Sequence, residues 1–148
     1  MNAKIFIDTN ILVYAFDSNE KDKQEIAQNL LADEGSTGEI TLSTQVLQEF
    51  FVTVTRKLKE PLSIDDASKT IQLFSVYPII QITPKLILKA IERHQYESFS
   101  FWDALIVEAA LLSGAQILFS EDMQDERQIG KLKISNPFSR LNKSDNTR

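Results

Sequence analysis

Apolar residues in this chain fall into short unbroken runs separated by longer stretches of helical period. Lys4-Ile5-Phe6-Ile7 is too short for a helix and reads as a buried strand, followed by Asp8-Thr9-Asn10 and an apolar helical start, Ile11-Leu12-Val13-Tyr14-Ala15. A second helix is predicted over Lys21 to Ala32, with Ile26, Leu30 and Leu31 on one face. Gly35-Ser36-Thr37-Gly38 reads as a turn before a strand at Ile40-Thr41-Leu42. From Thr44 to Leu58 the positions Leu47, Phe50/Phe51, Val54 and Leu58 keep a 3.6-residue period. Ser63 and Asp66 have the spacing of a capping box, and Thr83-Pro84 that of an N-cap followed by proline in the first turn. The helix after Thr83 carries Leu86, Ile87, Ala90 and Ile91, and the run from Pro78 to Ile82 before it is strand-like. Ser98 to Ser100 break the chain ahead of a helix from Trp102 to Leu112 that is apolar nearly all round and is therefore expected to be buried. Gln116 to Ser120 and Leu132-Lys133-Ile134 complete the strands.

Strands separated by one or two helices predict a three-layer α/β/α sandwich around a mainly parallel sheet. At 148 residues the chain is one ordinary domain, able to bury roughly 70% of its unfolded surface. The expected domain covers 1–138, and the polar run 139–148 is expected to be a fraying tail. No apolar stretch approaches the ~20 residues of a membrane span. Met1 runs directly into the first strand, leaving no room for a secretory leader, so a cytoplasmic location without membrane attachment is expected.

Composition removes several chemistries. With no cysteine there is no thiolate nucleophile, disulfide or Cys-based zinc site, and one histidine cannot furnish a pair for acid–base cleavage. His94 lies in a polar stretch near a helix end, where solvation or dipole complementation accounts for it. A net charge of −5 argues against a general nucleic-acid coat but not against an enzyme that meets phosphates through a metal ion.

The acids carry the remaining signal. Asp8 ends the first apolar run, Asp103 opens the apolar helix, and Asp122 follows Ile117-Leu118-Phe119 by three residues. Ligands in open parallel sheets collect beyond the carboxyl ends of the strands, so these three acids can share one crevice. Oxygen donors of this kind suit a hard cation. Each also has an ordinary explanation: Asp8 as an N-cap, Asp103 as a helix-dipole partner three residues after Ser100, Asp122 as one acid of a solvated loop. Glu49, off the apolar stripe of its helix, has the place of an exposed surface residue.

The motifs around these acids resemble those of PIN-domain ribonucleases of the VapC type, the toxins of type II toxin–antitoxin modules. Ile5-Phe6-Ile7-Asp8-Thr9-Asn10-Ile11-Leu12 is similar to the family's opening strand with its first catalytic acid and supporting Asn. Gln48-Glu49-Phe50 is similar to the second motif, Phe99-Ser100-Phe101-Trp102-Asp103-Ala104-Leu105-Ile106 to the third, and Ile117-Leu118-Phe119-Ser120-Glu121-Asp122 to the fourth. Asn136-Pro137-Phe138 resembles a frequent family ending. The chain departs from the pattern after the fourth motif, where Asp125-Glu126-Arg127 stands in place of a nearby glycine and Gly130 comes later.

The resemblance implies a metal-dependent endoribonuclease that leaves a 5′-phosphate and a 3′-hydroxyl. Asp8 and Asp103 would be the principal ligands of Mg²⁺ or Mn²⁺, with Glu49 and Asp122 completing the catalytic metal site and Asn10 and Ser120 orienting the ligands. It also implies an RNA substrate, a cognate antitoxin, and a homodimer. Whichever of Ile11, Leu12, Tyr14, Phe16, Leu30 and Leu31 are exposed are candidates for the antitoxin groove, core packing being the ordinary alternative for each. Arg56, Lys57 and Lys59, and separately Lys131 and Lys133, are candidate RNA contacts. Two other readings remain at this point: a phosphatase using Asp8 as nucleophile, weakened because Asn10 stands where such enzymes have a second Asp, and a non-catalytic binding module of PIN fold.

Overall fold

The computed structural model describes residues 3–141. Strands β1 (Lys4–Ile7), β2 (Glu39–Ser43), β3 (Ile79–Ile80), β4 (Ile117–Phe119), β5 (Gln128–Ile129) and β6 (Leu132–Ser135) form one sheet in the order β3-β2-β1-β4-β6-β5. All neighbours are parallel except β5 and β6. Ile5 is in register with Ile40 on one side and Ile117 on the other, which stacks the apolar runs across the middle of the sheet, Ile5 and Ile40 buried and Ile117 partly so.

The connections run through α1 (Thr9–Tyr14) and α2 (Lys21–Thr37) to β2, then through α3 (Thr44–Arg56) and α4 (Ile64–Phe74) to β3. They continue through α5 (Pro84–Tyr96) and α6 (Phe101–Ser113) to β4. The first two crossovers step away from β1, whereas the third returns across the sheet to its other side. Right-handed crossovers that reverse direction place their helices on opposite faces, giving the three layers expected. The same reversal puts a topological switch point between β1 and β4.

Local signals worked where short side chains cap helices. Ser63, Thr83 and Ser100 each accept the backbone N–H three residues on, from Asp66, Leu86 and Asp103. His94, in the last turn of α5, lies exposed with Nδ1 2.6 Å from the Phe99 carbonyl oxygen.

The chain departs from its local signals in several places. Gly35-Ser36-Thr37 is not a turn but the last turn of α2. The Ser36 hydroxyl donates to the Asp33 carbonyl, and the Gly38 N–H closes the helix onto Glu34. Extending a formed helix costs far less than nucleating one, so a single Gly, about 1 kcal/mol worse than Ala, does not stop it. The break falls at Gly38, where a Cβ would stand 2.8 Å from the Glu34 carboxylate and 3.2 Å from the Ala3 carbonyl.

The strand expected over Pro78 to Ile82 shrinks to β3, and β5 has no counterpart in the apolar pattern. β5 is a two-residue edge strand held by the hairpin to β6 through Gly130 at φ +58°. In α6 the residues from Ala104 to Ala110 are buried as expected, but Trp102 and Leu112 at its ends are exposed. Ser139, Arg140 and Leu141 are helical, and the rest of the expected tail, 142–148, lies outside the described residues.

Ile11 and Leu12 are wholly buried, so they cannot belong to a docking groove. The six-residue α1 is pinned between the sheet and α3, and its apolar residues face inward. Tyr14, Phe16, Leu30 and Leu31 are partly buried against the same core. Among the described residues no helix is long and apolar enough to cross a membrane.

Candidate active site

Asp8 leaves the carboxyl end of β1, and its backbone N–H donates to the Phe119 carbonyl at the end of β4, 2.9 Å away. That bond fixes Asp8 at the switch point. Its Oδ1 accepts the Thr9 N–H at 2.7 Å and so caps α1, while Oδ2 accepts the Ser120 hydroxyl at 2.7 Å. The cap expected as an alternative is real, yet a cap alone explains neither the burial of Asp8 nor its second partner. A six-residue helix gains little from burying a carboxylate that water would otherwise solvate.

The other three acids arrive from different elements. Glu49, on α3, is half-buried rather than exposed, because the Thr9 hydroxyl donates to its Oε1 at 3.1 Å. Asp103 sits in the first turn of α6 behind the Ser100 cap. Asp122 follows β4. Its carboxylate accepts the Asn10 side-chain amide at 2.9 Å, and its N–H donates to the Ser120 hydroxyl at 3.3 Å. Ser120 therefore touches Asp8 and the backbone of Asp122 at once, and the two residues expected to orient acids, Asn10 and Ser120, both contact one.

Their charges meet. Burial pushes the Asp8 carboxyl up to about 7, against the opposing hydrogen bonds from Ser120 and Thr9, and the charges of Asp103 and Glu49 push it further. Glu49 is also raised, first by burial, with Thr9 and Gln45 opposing and the charges of Asp103 and Asp122 adding. Asp103 is raised by burial and by Asp122, against the Ser100 hydrogen bond. Four carboxylates from β1, α3, α6 and the loop after β4 thus lie within electrostatic reach of one another.

The PIN-domain family model matches residues 5–128, a span that contains all four acids. The chain belongs to the PIN-domain family. Solved structures share this PIN-domain fold. The Mycobacterium tuberculosis VapC20, described as a toxin that cleaves the sarcin–ricin loop, is 23% identical with a TM-score of 0.64 over 80% of this chain and 89% of that one. A toxin–antitoxin complex from Klebsiella pneumoniae gives 21% and 0.65, covering 90% of this chain and 97% of that one. Rickettsia felis VapBC2, bound to a DNA fragment from its promoter, gives 22% and 0.61, covering 90% and 98%. No curated protein sequence is significantly similar to the chain.

Whether this PIN domain's acids suit a metal ion turns on their donor chemistry. All four offer carboxylate oxygens, the donors that Mg²⁺ and Mn²⁺ prefer. Among the described residues, no three acidic or histidine side chains already stand together as a ligand cage. Asp122 in particular is held by Asn10. The cluster has the oxygen donors and the negative charge that a hard cation requires.

Sequence reasoning passed over two residues. Thr9 joins Asp8 to Glu49 through its N–H and hydroxyl. Gln45, buried one turn before Glu49 on α3, donates to the Trp102 carbonyl at 3.2 Å, and its Oε1 has no hydrogen-bond partner among the described residues. A signal existed for both: Thr9 lies between two nominated residues, and Gln45 is four positions from Glu49, on the same helical face. Of the basic candidates, Lys133 pairs with Glu126 at 2.6 Å, while Arg56, Lys57 and Lys59 are exposed.

The glycine missing after the fourth motif has a backbone counterpart. Glu126 takes φ +68°, the left-handed conformation that a glycine would adopt freely. Its N–H bonds the Ile134 carbonyl at 2.9 Å, holding the loop against β6.

Proposed function

We propose that this PIN domain is an endoribonuclease dependent on Mg²⁺ or Mn²⁺, and the toxin of a toxin–antitoxin module. The observation that carries the reading is the gathering of Asp8, Glu49, Asp103 and Asp122 from four separate elements onto the switch point between β1 and β4. Asp8 and Asp103 would be the principal ligands, with Glu49 and Asp122 directly or through water. Such an ion lowers the pKa of a bound water and offsets charge developing on phosphorus. The chain's own residues prepare that site. Ser120 and Thr9 fix the Asp8 carboxylate, Thr9 also turns Glu49 inward, and Asn10 holds Asp122.

The products would carry a 5′-phosphate and a 3′-hydroxyl, as the family resemblance implies. An antitoxin partner is supported by the shared fold with the Klebsiella and Rickettsia complexes, and a homodimer and a cytoplasmic setting belong to the same reading. No observation favours the phosphatase alternative. Asn10 is committed to the Asp122 carboxylate and the Glu121 N–H, and is not placed as an acid for a leaving group.

The decisive experiment is cleavage of RNA by the wild type and Asp103→Asn in Mn²⁺, with and without EDTA. The substitution keeps volume and removes a charged ligand, so the rate should fall by on the order of a thousandfold, as losing transition-state charge stabilisation of several kcal/mol does. Cleavage that survives both the mutation and the chelator would refute the proposal.

A further inference from the structure

Glu121 and Asp122 are consecutive acids beyond β4, yet they point to different partners. Asn10 divides them: its side-chain oxygen accepts the Glu121 N–H at 3.3 Å, and its nitrogen donates to the Asp122 carboxylate at 2.9 Å. The Glu121 carboxylate is turned to α1 and α2, where both oxygens are occupied. Oε1 accepts the Tyr14 hydroxyl at 2.7 Å, and Oε2 meets Lys23 Nζ at 2.6 Å. Lys23 lies 4.8 Å over the Tyr14 ring and 5.6 Å over that of Phe138, and the two rings pack edge to face. Its ion pair is largely covered, with side-chain exposures of 25% and 23%. Glu121, Asp122, Tyr14, Asn10 and Thr9 all line one cleft of about 310 Å³ beside the acid cluster.

We propose that Lys23 is a positioning residue, an internal cation that holds Glu121 out of the acid cluster so that the loop after β4 presents Asp122 alone. The inference rests on reading the cluster as a cation site. Without a positive charge at Lys23, the Glu121 carboxylate keeps only the Tyr14 hydroxyl and stands as an uncompensated charge next to Asp122, bordering the same cleft. A fifth acid there would compete for the cation and hold it in an unproductive arrangement. Cation binding and catalysis should therefore move in opposite directions when Lys23 is lost. A lysine that only fastened α2 to the loop would, on removal, weaken both.

The full chain is tested as Lys23→Met, Lys23→Arg, Glu121→Gln and the double variant Lys23→Met/Glu121→Gln. Melting temperature, Mn²⁺ titration calorimetry without RNA, and initial rates of RNA cleavage are measured for each. Lys23→Met should bind Mn²⁺ about threefold more tightly or take up a further equivalent, while cleaving about tenfold more slowly. Lys23→Arg should match the wild type. The double variant, with no charge left to restrain, should recover wild-type Mn²⁺ affinity and cleave within about threefold of the wild type.

Weaker or unchanged Mn²⁺ binding in Lys23→Met overturns the proposal, as does a double variant no better than the single one. If Lys23→Met does not fold, Glu121→Gln alone decides: near-wild-type cleavage supports the proposal, and a tenfold loss overturns it. Failure of the underlying reading looks different. In that case the wild type ignores Mn²⁺ to millimolar concentration and Asp103→Asn cleaves normally, whatever Lys23 does.

Discussion

Replacing Asp8 by Asn removes a charge while keeping its size and one carbonyl acceptor, and the structure gives the expected change in stability. In the metal-free protein the Asp8 carboxyl titrates at about 7 instead of 3.8. The sign follows from proton binding. Between those values the folded state holds a proton that the unfolded state has released, so folding stability falls as pH rises through this window. Each pH unit costs about 1.4 kcal/mol, so a total of about 4 kcal/mol is lost by neutral pH and fully absent above it. The group is buried, so solvent screening discounts little of this. Asp8→Asn carries no such proton. Its stability relative to the wild type in EDTA should climb from pH 4.5 to about 7 and level off above, ending on the order of 2–4 kcal/mol more stable, because the charges of Glu49 and Asp103 that raise Asp8 have nothing left to repel. Urea unfolding at each pH provides the difference. Saturating Mn²⁺ should stabilise the wild type in proportion to RT ln(1 + [Mn²⁺]/Kd) and narrow the gap, with much less effect on the mutant. A difference that stays within about 0.5 kcal/mol across this range, the scale of an ordinary surface substitution, would show that Asp8 is a helix cap and nothing more.

Two further substitutions probe the neighbours of the site. Ser120→Ala leaves the buried Asp8 Oδ2 without its hydroxyl partner and the part-buried Asp122 N–H without an acceptor. Urea unfolding should show a cost of roughly 1–3 kcal/mol, and RNA cleavage should fall by about 10–100-fold. Because the Ser120 hydrogen bond lowers the Asp8 pKa, the pH window of Ser120→Ala should lie above that of the wild type, and an unchanged rate and window would remove Ser120 from the site. Glu126→Gly relieves a left-handed residue at φ +68° and should raise stability by about 1 kcal/mol in thermal unfolding. A fall instead would mean that the Glu126 side chain, through Lys133, matters more than its backbone.

The sequence by itself determined what depends on neighbours along the chain. Short apolar runs such as Ile5-Phe6-Ile7, bounded by polar residues, read as strands, and Ser63, Thr83 and Ser100 declare helix starts because their hydroxyls reach an N–H three residues on. The motifs around Asp8, Asp103 and Asp122 were legible for the same reason, since each acid sits at the end of an element its neighbours define.

Contacts across the sheet decided the rest. Glu49 had the place of an exposed helix residue until Thr9, forty positions earlier, drew it inward. Ile11 and Leu12 could be assigned to a groove or to the core with equal right until α1 was packed against α3. β5 exists only because β6 lies beside it. Glu121 and Asp122 are adjacent acids that no local rule separates. Asn10, Tyr14 and Lys23 tell them apart, because hydrogen bonds and ion pairs depend on distance in space and not on distance along the chain.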